Sequence, residues 1–217
     1  MERIQTELKP YQIETKSFEI IDSEVLEPRP FKGHEWLIIR RMIHTTADFE
    51  LLSLTNFHPQ AIMNGLNALK RGCLLITDTE MARMGISKWR LERLGCRIEC
   101  HIGSDKIKKM AQKEQSTRAA AAVDFVTNRL NNAIYVIGNA PTALLRLLQL
   151  IKEQKIRPAL IVGMPVGFVN AAESKEILME QKDIPFISIK GRKGGSALAA
   201  TVINQLAEIV LNERDKS

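Results

Sequence analysis

The chain has 217 residues, 45% of them apolar and 26% charged, a balance that excludes a disordered or membrane-embedded protein. No apolar run approaches the ~20 residues that span a bilayer, and the first twenty residues break every apolar stretch with a charge, so neither a membrane anchor nor a secretory leader is expected and the protein is expected in the cytoplasm. The formal net charge of +6 favours an anionic partner, with nucleic acid, phosphates and polycarboxylates all compatible.

The length suits one domain, residues 1–217, around one sizeable core. In chain order, Ser17 is a candidate N-cap for a helix running to about Leu26, with Ile20 opening its inner face. The run GHEWLIIRRMIHTTADF (33–49) places Trp36, Ile39 and Ile43 at helical spacing, with Pro30 and Gly33 as start signals and His44 near the end. A third helix follows in HPQAIMNGLNALKRG, opened by Pro59 and stopped by Gly72. From Gly72 onward the pattern changes. Short apolar runs at 73–77, 97–102, 133–138, 159–163 and 186–190 read as buried strands, separated by helical patterns that end in SALAATVINQLAEIVLN. Alternating strands and helices predict an α/β fold: a three-layer α/β/α sandwich with a mainly parallel, doubly wound sheet of about five strands and a helical N-terminal segment. Ligands of such sheets bind beyond the carboxyl ends of the strands. The segments there are TDTEMARMG (77–85), GNAPT (138–142), GMPVGFVNAAESKE (163–176) and KGRKGGS (190–196).

Several side chains admit both a chemical and a plain structural reading. Arg41 and His44 stand three apart on one helix, so they project from nearly the same face. Together they suit a proton donor beside a fixed cation, or else a helix-end histidine with a solvated arginine. GRKGGS presents Gly191, Arg192 and Lys193 before a helix, either as an anion-binding loop or as a basic turn in which Ser196 caps that helix. Asn139 and Thr142 flank Pro141 at another helix start, and Arg118 opens a helix with four alanines behind it. Asp78 and Glu80 read as paired carboxylates or as caps of the next turn. Cys96, Cys100 and His101 crowd together while Cys73 sits apart; a tetrahedral metal site needs a further pair of ligands, so reduced thiols and no bound metal are expected. His34, His58 and His101 have no partner pattern. Aromatic residues at 5%, with no basic stripe between them, argue against nucleic acid.

The ordered set SF at 17–18, RMIHTTADF at 41–49, TDTEMARMGI at 77–86, TRAAAA at 117–122, VIGNAPTALLRLL at 136–148, VGMPVGFVNAAESKE at 162–176 and GRKGGSALAA at 191–200 resembles the precorrin-8X methylmutases, which include the cobalt-precorrin-8 methylmutases, over about residues 17 to 212. The resemblance implies an isomerase of cobalamin biosynthesis that moves a methyl group from C-11 to C-12 of an acidic tetrapyrrole. It makes His44 the proton donor and acceptor and Ser17 and Arg41 substrate-binding positions. Arg118, Asn139, Thr142, Gly191 and Arg192 lie in the matched motifs and are added as candidate substrate contacts. No cofactor is expected, because an isomerisation transfers no net electrons; any cobalt arrives inside the substrate. The resemblance further implies a homodimer with the substrate site near the subunit interface. TTADF after the histidine is similar to members acting on the cobalt form. The alternatives are metal-free precorrin-8X giving hydrogenobyrinate, or a non-catalytic corrinoid carrier.

Overall fold

The computed structural model describes residues 9–153 and 155–216. The leader reading of residues 1–8 and the last position of the 141–154 helical pattern lie outside the described residues. Helices α1 (Pro10–Glu24), α2 (Gly33–Thr46) and the short α3 (Leu51–Leu54) lead into β1 (Thr55–Phe57) and α4 (Ala61–Lys70). The alternating part follows: β2 (Leu74–Thr77), α5 (Glu80–Gly85), α6 (Lys88–Arg93), β3 (Arg97–Cys100), α7 (Asp105–Lys113), α8 (Arg118–Val126), β4 (Ile134–Ile137), α9 (Pro141–Lys152), β5 (Leu160–Gly163), α10 (Ala171–Glu180), β6 (Phe186–Ile189) and α11 (Ser196–Arg214).

The six strands are ordered β1-β6-β5-β4-β2-β3, all parallel except β1, which runs antiparallel to β6 with Thr55 opposite Ile189. The five apolar runs became β2 to β6, although β3, at the edge of the sheet, is only partly buried with Arg97 exposed. The sixth strand, Thr-Asn-Phe, has too few residues to show a period of two; the open edge of β6 decides its conformation. Along the central strands side chains alternate between two cores. Ile134, Val136, Leu160 and Val162 face α2, α4 and α11, whereas Tyr135, Ile137 and Ile161 face α8 and α9. That division makes the predicted three layers.

Three local readings need correction. Helix α1 starts at Pro10, so Ser17 lies inside it and is not a cap; the charged residues before Ser17 hid the first turns. Ser196 does not cap α11 either: the capping position is Gly195, and the Ser196 hydroxyl pairs with Thr79 Oγ1 at 2.9 Å. Cys73 is not apart from Cys96, because β2 and β3 pair in parallel from Leu74 and Arg97 and so bring the two free cysteines side by side at their heads, where the Cys96 thiol donates to the Leu69 carbonyl at 3.5 Å.

The winding of the sheet reverses between β2 and β4, which is where a doubly wound fold ordinarily opens its ligand crevice. Here a side chain fills it. Asp78, buried, accepts from the backbone N–H groups of Gly138, Asn139 and Ala140 at 2.9, 2.8 and 2.7 Å. Burial pushes its carboxyl above the ordinary carboxylate value, against the pull of those amides. A Cβ on Gly138 would come within 2.5 Å of Ser196 Cα, so only glycine lets α11 close over this point. Thr79 caps α5, leaving Asp78 for the neighbouring loop.

At the end of β6, Lys175 reaches in from α10, fully buried, and donates from Nζ to the carbonyl of Lys193 at 2.5 Å. Gly194 then passes so close to Met164 that a Cβ would stand 2.3 Å from its carbonyl oxygen. Gly194 therefore serves close packing of the 190–196 turn against the loop after β5, whereas Gly191 and Gly195 supply positive φ values of 73° and 130°.

Asp78→Asn puts an NH2 group among three amide donors and is expected to destabilise the protein by about 1–3 kcal/mol in urea unfolding; an unchanged midpoint would mean that the GNA turn does not depend on the carboxylate. Burial lowers the Lys175 pKa to about 8. Between pH 8 and the ordinary lysine value the unfolded chain then holds a proton that the folded one has lost, so this residue's contribution to stability rises with pH. Relative to Lys175→Met, the wild type is expected to gain up to about 3 kcal/mol between pH 7 and pH 10; a gap that stays constant would place the Lys175 amine in contact with water.

Candidate active site

Ser17, Arg41 and His44 come together where α1 crosses α2. Within α2, Trp36, Ile38, Ile39, Met42 and Ile43 are buried, which turns Arg41 and His44 toward α1 and α11. The Ser17 hydroxyl stands 2.7 Å from His44 Nδ1. His44 is exposed, and its Nε2 has no protein partner among the described residues. The Phe18 ring lies 5.2 Å from the imidazole, centre to centre, and the Arg40 and Arg41 guanidinium carbons sit 4.4 and 4.8 Å from the Phe18 ring. Asp22 anchors this group from α1, accepting from Arg40 at 2.6 Å and from the Trp36 indole at 3.0 Å.

Arg41 is already coordinated. Its Nε donates to Gln205 at 3.0 Å, Nη2 to Glu208 at 2.9 Å and Nη1 to Glu14. Beside it, the hydroxyls of Thr45 and Thr201 are 2.9 Å apart and tie α2 to α11. Lys193, from the GRKGGS turn, donates to Asp48 at 2.6 Å and to Glu50 at 2.5 Å. Those carboxylates hold the lysine pKa up, and the lysine holds that of Asp48 down. The end of α2 is thus bound to the loop at the carboxyl end of β6.

Next to this group lies a cleft of about 390 Å³, walled by Ile13, Ile20, Ile21, Ile43 and Phe49, with Ser17 and His44 as its inner polar groups and Lys16 and Glu24 at the margin. An apolar hollow with few convergent polar groups suits a largely apolar ring held by one polar contact. A cavity of about 490 Å³ opens at the amino ends of the strands, lined among others by Asn64, Asn67, Arg71, Cys73 and Arg157, and holds none of the candidate catalytic or substrate-binding residues.

The other candidates fall into two separate groups. Thr142 accepts a hydrogen bond from the Thr117 cap of α8 at 2.8 Å, which brings Arg118, Asn139 and Thr142 to adjoining helix starts. Asn139 gives its backbone N–H to Asp78, as Gly138 and Ala140 do, so the first three GNAPT amides are taken up within the protein. Gly191, with φ of 73°, and Arg192, over the exposed Phe168 ring at 5.5 Å, belong to the β6–α11 turn. Among the described residues, no hydrogen bond joins Ser17, Arg41 or His44 to these five. Elsewhere, His101 bonds Glu99 at 2.8 Å with Arg129 beside them, and no group of three or more His, Cys, Asp or Glu among the described residues is placed to hold a metal. Sequence reading missed Glu14, Gln205 and Glu208. The last two lie on the long C-terminal helix with nothing in their spacing to mark them, and only the fold brings them to Arg41.

The sequence profile of the precorrin-8X methylmutases matches residues 12–209, from within α1 into α11. A cobalt-precorrin-8 methylmutase of Leptospira interrogans is 45% identical over 201 residues, covering 89% of this chain and 91% of that protein. A precorrin-8X methylmutase of a Sinorhizobium species is 38% identical over 193 residues, covering 88% and 91%. The crystal structure of a precorrin-8X methylmutase from Thermus thermophilus superposes with a TM-score of 0.86 at 40% identity, covering 94% of this chain and 97% of that one. With its profile, its relatives and its fold in agreement along nearly the whole length, this chain belongs to the precorrin-8X methylmutase family.

Proposed function

We propose that the protein catalyses the methyl shift from C-11 to C-12 of cobalt-precorrin-8, with His44 giving and regaining one proton. The observation that carries this reading is the Ser17–His44 pair at the head of an apolar cleft. With Nδ1–H donating to the Ser17 hydroxyl oxygen, Nε2, the ring nitrogen without a protein partner, carries the mobile proton of the imidazolium and takes it back as neutral imidazole. Protonation at or beside the ring shifts its double bonds, the crowded methyl migrates, and the proton returns to Nε2, so atoms and electrons balance without a redox partner or cofactor. Ser17, a substrate-binding position by resemblance, acts in this geometry first through His44, as a positioning residue.

Arg41 supplies the second function. The contacts from Gln205 and Glu208 fix its guanidinium, so a carboxylate of the substrate that binds it is oriented relative to His44 one turn away. Arg118, Asn139, Thr142, Gly191 and Arg192 are assigned to outer parts of the substrate, beyond the His44 cleft. The cobalt form is favoured because the Leptospira relative at 45% identity bears that name, whereas the Sinorhizobium relative at 38% bears the metal-free one. Cobalt is then part of the substrate. We also infer one domain over 1–217, a cytoplasmic location and a homodimer. In support of the location, no helix of the described residues is long and apolar enough to cross a membrane. In support of the dimer, Phe168 and Val169 are 84% and 77% exposed and suit a partner surface.

The decisive experiment follows the absorbance change of cobalt-precorrin-8 and precorrin-8X with the wild type and His44→Ala. Wild-type turnover, faster on the cobalt form, with a variant that binds but does not react, is expected; equal turnover by His44→Ala would remove His44 from its role, and binding without turnover by either protein would indicate a carrier. Ser17→Ala is expected to lower kcat about tenfold, the worth of one hydrogen bond, with KM nearly unchanged. A rise in KM alone would return Ser17 to direct substrate contact.

A further inference from the structure

The three partners of Arg41 differ in how firmly they are held. Gln205 is buried, and Glu208, 29% exposed, is shared with Arg90 at 3.1 Å. Both belong to α11 and together occupy the Nε and Nη2 side of the guanidinium. Glu14 is 53% exposed, reaches Nη1 from α1 and has no second partner among the described residues. Glu14 also stands three residues before Ser17, as Arg41 does before His44, so one turn of α1 lies along one turn of α2 with a carboxylate on the cation and a hydroxyl on the imidazole.

From this arrangement we propose that Glu14 is a specificity-determining placeholder, occupying on Arg41 the position of one carboxylate side chain of the substrate and leaving when that group arrives. The inference rests on the reading of Arg41 as a substrate-binding residue. An anion approaching Arg41 finds two sides of the guanidinium closed by α11, and the remaining side carries Glu14. Exchange of one carboxylate for another keeps the charge and hydrogen bonding of the guanidinium constant. It sacrifices only an ion pair with a mostly solvated partner, a contact that contributes little to stability. A neutral group, such as a carboxamide at the same place on the ring, does not replace the charge and leaves Glu14 in position. The contact therefore selects acidic ligands while keeping Arg41 aligned in the free protein.

The test measures the affinity of hydrogenobyrinate, the metal-free product, by absorbance titration at fixed ionic strength for wild type, Glu14→Gln, Arg41→Gln and the double variant. Removal of the competing charge in Glu14→Gln is expected to tighten binding about two- to fivefold. Arg41→Gln is expected to weaken it, and Glu14→Gln to have no effect in the Arg41→Gln background. Should Glu14→Gln weaken binding or leave it unchanged while Arg41→Gln weakens it, Glu14 is an ordinary structural contact and only the placeholder fails. An Arg41→Gln variant with wild-type affinity overturns the role of Arg41, and the placeholder with it.

Discussion

Helix α11 is buried on nearly every side from Leu198 to Leu211, and its contact with α2 is the constraint on which the site depends. A helix apolar on all faces has to lie inside the protein, and this one lies between the sheet and the N-terminal helices. Each large side chain it buries contributes about 1.5–3 kcal/mol. Ala199, Ala200 and Ala207 keep its surface low, and a Cβ on Gly85 of α5 would already stand 3.0 Å from the Ala200 methyl. At this close range its few polar residues reach their partners: Thr201 to Thr45, Gln205 and Glu208 to Arg41, Asn204 to Ser87 and Gly85, Ser196 to Thr79. Arg41 and Thr45 of α2 are therefore fixed from behind by a rigid core element, which preorganises them.

The charge of the protein is arranged differently from what its total suggests. Despite the net charge of +6, the cations around His44 are paired: Arg40 with Asp22, Arg41 with Glu14 and Glu208, Lys193 with Asp48 and Glu50. A free cationic patch would attract any anion. Paired cations admit only a ligand able to exchange with the resident carboxylate, so the local field contributes discrimination more than attraction. Asp78 occupies the crevice at the reversal of the sheet, the ordinary ligand position of doubly wound folds, and the Ser17–His44 pair lies instead on helices packed against one face.

Much of this was legible in the residues. The buried strands announced themselves as short apolar runs between turn signals, and the 3.6-residue period of Trp36, Ile39 and Ile43 placed Arg41 and His44 on one helix side near its end. The ordered motifs pointed to the family that the profile and the relatives then showed. Less legible were the features set by partners far away in the chain. Thr-Asn-Phe is a strand only because β6 has a free edge; Cys73 and Cys96 meet only because β2 and β3 pair; Ser17 looked like a cap because nothing in its neighbours shows His44 beside it.

Residue chemistry along the chain set the local preferences: which segments are helices or strands, where turns fall, and which side chains share a helix face. These depend on interactions within a few residues. The tertiary structure alone decided which groups touch, because contacts such as Arg41 with Glu208 span 167 positions and exist only once the buried faces of α2 and α11 have packed together. Packing likewise made Asp78 a plug, Lys175 a buried strut and GRKGGS a close-packed turn; the same residues on other neighbours would be a catalytic carboxylate, a surface lysine and an anion loop.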